Sequence, residues 1–344
     1  MKEYNTFVWS SDYESFTGEG LLSRCFVENY FKSEEIIKIC SNNNEYLYKN
    51  KKYFLLKKKE YRNNFFTKYL YPLYGVFLIW KNNINGKKTC YVNYLPLWNF
   101  LIFIFLPRST ILGPITGNIY NDQVYNFSTF FRKVIFPLFY FISLKIVFFK
   151  YKHLIFSTEN LKKYVPKDKI KFCLFNFCLL FYNKRRLQDK NIDFLFYIRK
   201  HPQKSNLFLT YIIKKLTFLN YKIVVVGDKY SELKIKNYQN IDRKKLLYLL
   251  DKTKYSVMSG DNLYSLFFID CISSNVFTFF YNKLDNKKVF IKNSSFHSLN
   301  YNRYNLSYLK IINRLSKKKN KTYVNEKYFL KEKKNILNFI KNRY

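Results

Sequence analysis

The chain has 344 residues, with 61 Lys and Arg against 23 Asp and Glu, a formal net charge of +38. Hydrophobic residues make up 48% and aromatics 21%, including 37 Phe and 33 Tyr, which excludes a disordered polyelectrolyte; the length exceeds what one hydrophobic core organises, so two domains are expected. The positive excess seeks phosphate as nucleic acid, anionic lipid or nucleoside diphosphate, and six cysteines without a C-x-x-C pair read as buried free thiols, with no metal site expected.

The N-terminal stretch MKEYNTFVWSSDYESF lacks a charged segment followed by an apolar one, so a cytoplasmic location is expected. Phe7–Trp9 then reads as a strand leading through Ser10, Ser11 and Asp12 to the glycine loop Thr17-Gly18-Glu19-Gly20, and a helix-period stretch follows from Leu21. Apolar runs at Tyr74–Trp80, Thr110–Leu112 and His153–Phe156 read as buried strands, alternating with helices as a parallel α/β sheet requires. Two segments are unusually apolar, Leu95–Pro107 and Val134–Phe149. Both fall short of the ~20 apolar residues of a spanning helix. Flanked by Arg108, Arg132, Lys133, Lys150 and Lys152, they suit either core helices or attachment to an anionic membrane surface.

A lysine-rich, irregular stretch from Lys162 to Asn191 marks the linker. The second series opens with a strand at Asp193–Ile198, a basic run Arg199-Lys200-His201-Pro202-Gln203-Lys204 and a helix over Leu207–Asn220. A strand at Lys222–Val226 ends in Gly227-Asp228. An amphipathic helix over Asp242–Lys252, a strand at Tyr255–Met258, and a helix over Asn262–Cys271 behind Ser259-Gly260-Asp261 complete it. Glu326–Arg343 reads as a terminal helix. The expected organisation is therefore a first domain at 1–165, a linker at 166–190, a second domain at 191–320 and a basic terminal helix at 321–344.

Three constellations could carry chemistry. Paired glycines at Gly18 and Gly20 let a ligand approach the backbone, and the helix beyond offers free N–H groups to an anion or a sugar hydroxyl. The loop lacks the full dinucleotide-binding glycine pattern and the P-loop lysine, which disfavours a dehydrogenase or an NTPase. Arg199 and Lys204 follow a strand and so would point cations at the ligand crevice of an open α/β sheet, where they could neutralise a diphosphate leaving group. Asp261, Asn262 and Asp270 could accept hydrogen bonds from ribose or sugar hydroxyls, with helix capping as the simpler role of Asp261.

Taken together, FTGEGLLSR at Phe16–Arg24, YLPLWNFLIFIFLP followed by LGPITG at Leu112–Gly117, YIRKHPQK at Tyr197–Lys204, VVGD at Val225–Asp228 and SGDNLYSLFFIDC at Ser259–Cys271 resemble bacterial glycosyltransferases of the GT-B architecture that make surface polysaccharides. The resemblance implies an α/β fold of two Rossmann-like domains facing across a cleft, with a C-terminal helix returning toward the first domain. It implies a nucleotide-diphosphate sugar as substrate, no cofactor, and a saccharide or lipid-linked acceptor. It places Gly18, Glu19 and Gly20 at the cleft, Arg199 and Lys204 on the diphosphate, and Asp261 and Asp270 in the donor-gripping carboxylate region, with Gly227 and Asn262 beside them. The chain departs from the retaining members, which carry a pair of glutamates; here stand two aspartates with eight residues between them. If configuration inverts, Asp12 or Glu19 is the candidate base. The implied location is the inner face of the cytoplasmic membrane. Competing readings are a nucleic-acid-binding protein, disfavoured because the aromatics lie in apolar runs, and a non-catalytic membrane-surface scaffold of degenerate GT-B fold.

Overall fold

The computed structural model describes residues 4–15, 18–59, 65–93, 95–117, 127–185, 188–199, 206–230, 235–258, 265–281, 296–299, 307–317 and 326–343. The chain divides into two compact units, the first comprising Met1–Asn118, Phe130–Leu180 and Lys334–Tyr344, the second Ile119–Thr129 and Phe181–Lys333.

The first unit is built on a six-stranded sheet in the order β4-β3-β2-β1-β5-β6. Its strands are β1 (Thr6–Ser10), β2 (Ile37–Cys40), β3 (Asn44–Lys49), β4 (Lys52–Lys58), β5 (Lys88–Asn93) and β6 (Ile111–Leu112). The strands β2, β1, β5 and β6 run parallel, and β3 and β4 extend the edge as antiparallel hairpin strands. Every residue of β1 is buried, as a strand covered on both faces requires. The outer strand β4 carries lysines and is largely exposed, which blunts the edge against further pairing. Helices α1 (Gly18–Tyr30), α2 (Phe65–Ile84), α3 (Phe100–Phe105) and, from Phe130 on, α4 (Phe127–Lys150) belong to this unit, followed by the short parallel pair β7 (Leu154–Ile155) and β8 (Cys173–Leu174). Trp9, Tyr91, Phe103 and Phe156 are among the large side chains fully buried in its core.

The expected strand at Tyr74–Trp80 is instead part of the helix α2. That helix is apolar on two faces. Val76 and Ile79 are buried toward the sheet while Tyr74, Phe77 and Trp80 are exposed, so no single-face period betrays it as a helix. Gly75 sits where α2 crosses the Trp9 indole, with room for no side chain: a Cβ there would stand 2.3 Å from the ring. Of the apolar segment Leu95–Pro107, only α3 is helical, and Val134–Phe149 lies wholly within α4.

The second unit carries six parallel strands in the order β11-β10-β9-β12-β13-β14. These are β9 (Ile192–Ile198), β10 (Ile223–Gly227), β11 (Lys236–Gln239), β12 (Thr253–Val257), β13 (Phe277–Tyr281) and β14 (Phe296–Leu299). In sequence order this is the 3-2-1-4-5-6 arrangement of the dinucleotide-binding fold, with its direction change between β9 and β12. Helices α5 (Asn206–Phe218), α6 (Arg243–Asp251), α7 (Leu266–Ser273) and α8 (Ser307–Lys317) accompany the strands. The helix expected from Asn262 begins at Leu266, because Ser265 caps it by accepting from the Phe268 amide at 3.2 Å. Asp261, the other expected cap, lies outside the described residues. The terminal helix α9 (Glu326–Arg343) ends within the first unit, where Phe339 meets His153 edge-on at 5.9 Å, as a returning C-terminal helix requires.

All six cysteines are free thiols; Cys90 on β5 and Cys271 on α7 are fully buried. Burial pushes both thiols well above the ordinary range.

Candidate functional site

In open parallel sheets a ligand crevice forms outside the carboxyl ends of the strands, where the strand order changes direction. The first unit has that point between β1 and β5, and the second between β9 and β12.

In the first unit, Ser10 and Ser11 end β1 beside Asn93, the last residue of β5; the Ser11 amide donates to the Asn93 carbonyl at 2.8 Å. The turn that follows is pinned from α1: the Arg24 guanidinium donates to the carbonyls of Tyr13 and, at 2.9 Å, of Ser15. Helix α1 already begins at Gly18, so the glycines occupy its first turn rather than a loop before it. Gly20 is buried, and a Cβ there would lie 2.3 Å from the Ser15 carbonyl oxygen and 2.6 Å from that of Asp12. Its lack of a side chain thus lets the 12–15 turn pass across the helix start. Asp12 lies in that turn, half-buried. Farther along, Glu14 accepts from the Ser41 hydroxyl and from Asn44 Nδ2 at 3.1 Å, which anchors the turn to the β2–β3 connection.

A small recess of about 10 Å³, room for about one water molecule, opens at this point, lined by Glu19, Leu22, Ser23, Asn93, Pro114 and Thr116 with Val92. Ser23 is already committed, accepting from Ser10 Oγ at 3.1 Å and donating to the Glu19 carbonyl at 3.0 Å. Asn93 and Thr116 are different. The Asn93 side chain is 3% exposed, and neither its amide oxygen nor its nitrogen has a hydrogen-bond partner among the described residues; the Thr116 hydroxyl is likewise buried and unpartnered there. Buried amides without partners are costly and rare, and they mark places where a ligand or an ordered water completes the set. The pocket thus offers a donor and acceptor amide, a hydroxyl and the Glu19 carboxylate, a set matched to hydroxyl groups.

The segment Gly113-Pro114-Ile115-Thr116-Gly117 owes its composition to this packing. The Gly113 amide donates to the Tyr91 carbonyl at 2.8 Å, and a Cβ at Gly113 would meet the Val92 backbone at 2.6 Å. Close approach to β5 carries Pro114 and Thr116 into the pocket wall. No signal in the sequence singled out Asn93; a lone polar residue closing the buried run Thr89–Val92 was the available clue.

In the second unit, Arg199 follows β9 immediately and is exposed at the direction change. Gly227 ends the neighbouring β10 with φ +109°, and a Cβ there would stand 2.1 Å from the Ile198 carbonyl oxygen. The Asp228 amide donates to that same oxygen at 2.9 Å. Glycine is therefore required by the backbone as well as by any ligand approach. Asp270 does not line this edge openly. It is 2% exposed on α7 and paired with the Arg243 guanidinium, which stacks on the Phe181 ring at 4.6 Å. Burial raises the Asp270 pKa, against the pull of Arg243. Lys204, Asp261 and Asn262 lie outside the described residues.

A second buried carboxylate, Asp251, receives both arms of Arg185, with Nε at 2.8 Å and Nη2 at 2.6 Å, and the Ser274 hydroxyl at 2.7 Å. It ties the segment entering the second unit to α6 and to the end of α7. Among the described residues no group of His, Cys, Asp and Glu could hold a metal ion.

No protein-family model matches the sequence, and no curated protein matches it. Solved structures do share the fold. UDP-GlcNAc 2-epimerase of Methanocaldococcus jannaschii, determined with UDP-GlcNAc and UDP, superposes with a TM-score of 0.52 at 11% identity, covering 98% of this chain and 99% of that one. S. aureus TarM, in a mutant form determined with Fondaparinux, alpha-GlcNAc-glycerol and UDP, gives 0.50 at 14% identity over 88% of this chain and 59% of its own length. The fold is thus the α/β GT-B architecture, with two Rossmann-like units.

Proposed function

We propose that the chain is a glycosyltransferase that moves a sugar from a nucleotide-diphosphate donor to a saccharide or lipid-linked acceptor at an anionic membrane surface, in cell-surface polysaccharide synthesis of a bacterium, from the inner face of the cytoplasmic membrane. The observation that carries it is the chemistry gathered at the two direction changes: an exposed cation, Arg199, behind β9, and a buried, unpartnered amide, Asn93, behind β5. Solved structures with this fold hold UDP together with a sugar derivative, which supports the assignment of a nucleotide-sugar ligand.

In this reaction the acceptor hydroxyl oxygen forms a bond to the anomeric carbon while the bond from that carbon to the diphosphate oxygen breaks. Negative charge grows on the leaving diphosphate. Arg199 and Lys204 stabilise it, and Gly227 lets the ligand come near the strand end. Asp261, Asn262 and Asp270 form the donor-gripping region, with Asp270 acting through its pair with Arg243. If configuration inverts, Glu19 or Asp12 takes the acceptor proton. Gly18 stands at the start of α1, where free N–H groups can meet the ligand, Gly20 lets the 12–15 turn cross that start, and Asn93 and Thr116 hydrogen-bond sugar hydroxyls. No cofactor enters.

The test is a thermal-shift screen of the purified protein against nucleoside diphosphates, followed by incubation of the matching nucleotide sugar with candidate acceptors. A selective stabilisation by one nucleotide supports the reading, since only a ligand of the folded state raises its stability. Free nucleoside diphosphate appearing only with acceptor identifies transfer, whereas an isomerised sugar on intact donor identifies epimerisation and refutes it. A shift with single-stranded nucleic acid and none with nucleotides refutes it as well. Arg199→Ala and Lys204→Ala should each weaken nucleoside-diphosphate binding about tenfold or more. Unchanged affinity in both removes the diphosphate assignment.

A further inference from the structure

A surface helix of a globular protein buries one face and turns a polar one to water. The helices α2 and α4 do not. On α2 the outward positions are Leu70, Tyr74, Phe77, Trp80 and Ile84, a stripe at helical spacing in which Phe77 is 61% and Ile84 76% exposed. On α4 they are Val134, Leu138, Phe141, Lys145 and Phe149, with Phe149 74% exposed. The short helix α3 adds Leu101, Ile104 and Phe105.

These stripes form one surface. Trp80 Nε1 donates to the Phe105 carbonyl at 2.6 Å, joining α2 to α3. Lys150 Nζ, at the end of α4, reaches the carbonyls of Phe103, Ile104 and Leu106 at 2.6–2.8 Å, closing the end of α3. The Arg108 guanidinium lies over Phe149 at 4.7 Å, and Lys145 over Phe141 at 4.3 Å. With ~200 Å² for each large side chain, roughly half exposed, the apolar surface is on the order of 1,000 Å². Monomeric soluble proteins rarely expose more than a few hundred Å² in one patch.

Charge selects what covers it. From Phe65 to Lys150 the chain carries nine Lys and Arg and a single carboxylate, Asp122. A second copy of the chain would bring the same cations face to face, and an acidic protein groove would still have to match three apolar stripes at once. An anionic lipid surface supplies hydrocarbon for the stripes and negative headgroups for their cationic rim. Among the described residues no helix is long and apolar enough to cross a membrane. The opposite face of α2 is moreover fixed to the sheet through Gly75 on Trp9 and the Tyr91 hydroxyl on the Pro72 carbonyl at 3.1 Å.

We propose that the joint outer face of α2, α3 and α4 is the docking surface of the first unit for an anionic bilayer, with Phe77, Phe105, Phe141 and Phe149 entering the acyl boundary and Arg108 and Lys145 at the headgroups. It rests on the membrane-surface part of the proposed function and not on sugar transfer. Cosedimentation of the full chain is measured with vesicles of phosphatidylcholine alone and of phosphatidylcholine mixed with phosphatidylglycerol. The expected result is strong binding to the mixed vesicles, weakened by salt. Phe77→Asp, Phe105→Asp and Phe141→Asp should each lower it about tenfold or more, and an Arg108→Gln, Lys145→Gln double variant should lower only the binding that depends on phosphatidylglycerol. Since all five positions are at the surface, melting temperatures should stay at the wild-type value, and each variant is checked for this. The proposal is overturned if the wild type binds neither vesicle, if folded Asp variants bind as well as wild type, or if sedimentation equilibrium shows a dimer that those variants dissociate. Vesicle binding without nucleotide binding would leave the surface standing and refute the transferase.

Discussion

Replacing Asn93 by Leu should make the ligand-free protein more stable and, under the proposed function, sugar transfer far slower. The side chain is 3% exposed with both amide atoms unpartnered among the described residues. Burying such a group costs about 1–3 kcal/mol by protein mutational data. Leu has the same branched arrangement of side-chain heavy atoms and removes that cost, while its bulkier methyl groups return ~1.5 kcal/mol or less. A net gain of ~1 kcal/mol should raise the melting temperature by about 2–4 °C if the first unit melts on its own. The backbone is untouched, since the Ser11 amide bonds the Asn93 carbonyl. In the same variant a sugar hydroxyl would face a methyl group, and transfer should fall about tenfold to a hundredfold, the equivalent of ~1.4–2.8 kcal/mol. Calorimetry of the ligand-free protein and nucleotide release with acceptor present measure the two effects. A Leu variant that melts below wild type yet transfers normally would refute the reasoning, because the amide would then be an ordinary satisfied element of the core.

Gly227→Ala should cost the second unit about 3 kcal/mol or more, since φ +109° and the Ile198 carbonyl at 2.1 Å both oppose a Cβ; a melting curve like that of wild type would show that β9 and β10 can part there. Asp251→Ala should cost about 3–5 kcal/mol by stranding the Arg185 fork, whereas the Asp251→Leu, Arg185→Met pair should cost much less; denaturant unfolding of the single and double variants separates the two. Lys190 is held down to about 8 by burial, against the pull of Cys271 and Asp251, while its ammonium donates to the carbonyls of Ser274 and Asn275. A depressed lysine folds with loss of a proton, so its penalty is full below about pH 8 and relaxes as pH rises toward the unfolded value. Wild type should therefore gain stability relative to Lys190→Met between pH 7.5 and 9.5, and a difference independent of pH would contradict the assignment. Taking that difference removes the opposing influence of the buried thiols and phenols, whose raised values withdraw stability at high pH.

Much of the fold is legible where burial is complete and the run is short. The strands β9 and β10 are continuous apolar stretches, and α9 announces itself by its amphipathic period. Helix α2 was hidden because its outer face is as apolar as its inner one, so YGVFLIW looks like a buried strand to any reading by pattern. The candidate site was legible only in part. The glycine signals at Gly20 and Gly227 fall near strand ends at the two direction changes, and the structure traces both to backbone crowding: the 12–15 turn at one, the Ile198 carbonyl at the other. Asn93 and Thr116 were missed because what distinguishes them is the lack of a partner, which only three-dimensional packing creates. Asp270 was correctly placed on a helix, yet its burial against Arg243 depends on a residue 27 positions away.

The two fully buried thiols give the molecule a clock in each unit. Cys90 lies three residues before Asn93 on β5, and Cys271 follows Asp270 on α7, so an alkylating reagent can reach either only when its surroundings open. With reclosure faster than alkylation, each rate reports the free energy of the local excursion that exposes that sulfur. A nucleotide held behind β9 and β10 would slow the Cys271 reaction, and a ligand held behind β5 would slow that of Cys90. Mass spectrometry of a single labelled sample could thus assign a binding event to one half of the chain without a label being introduced.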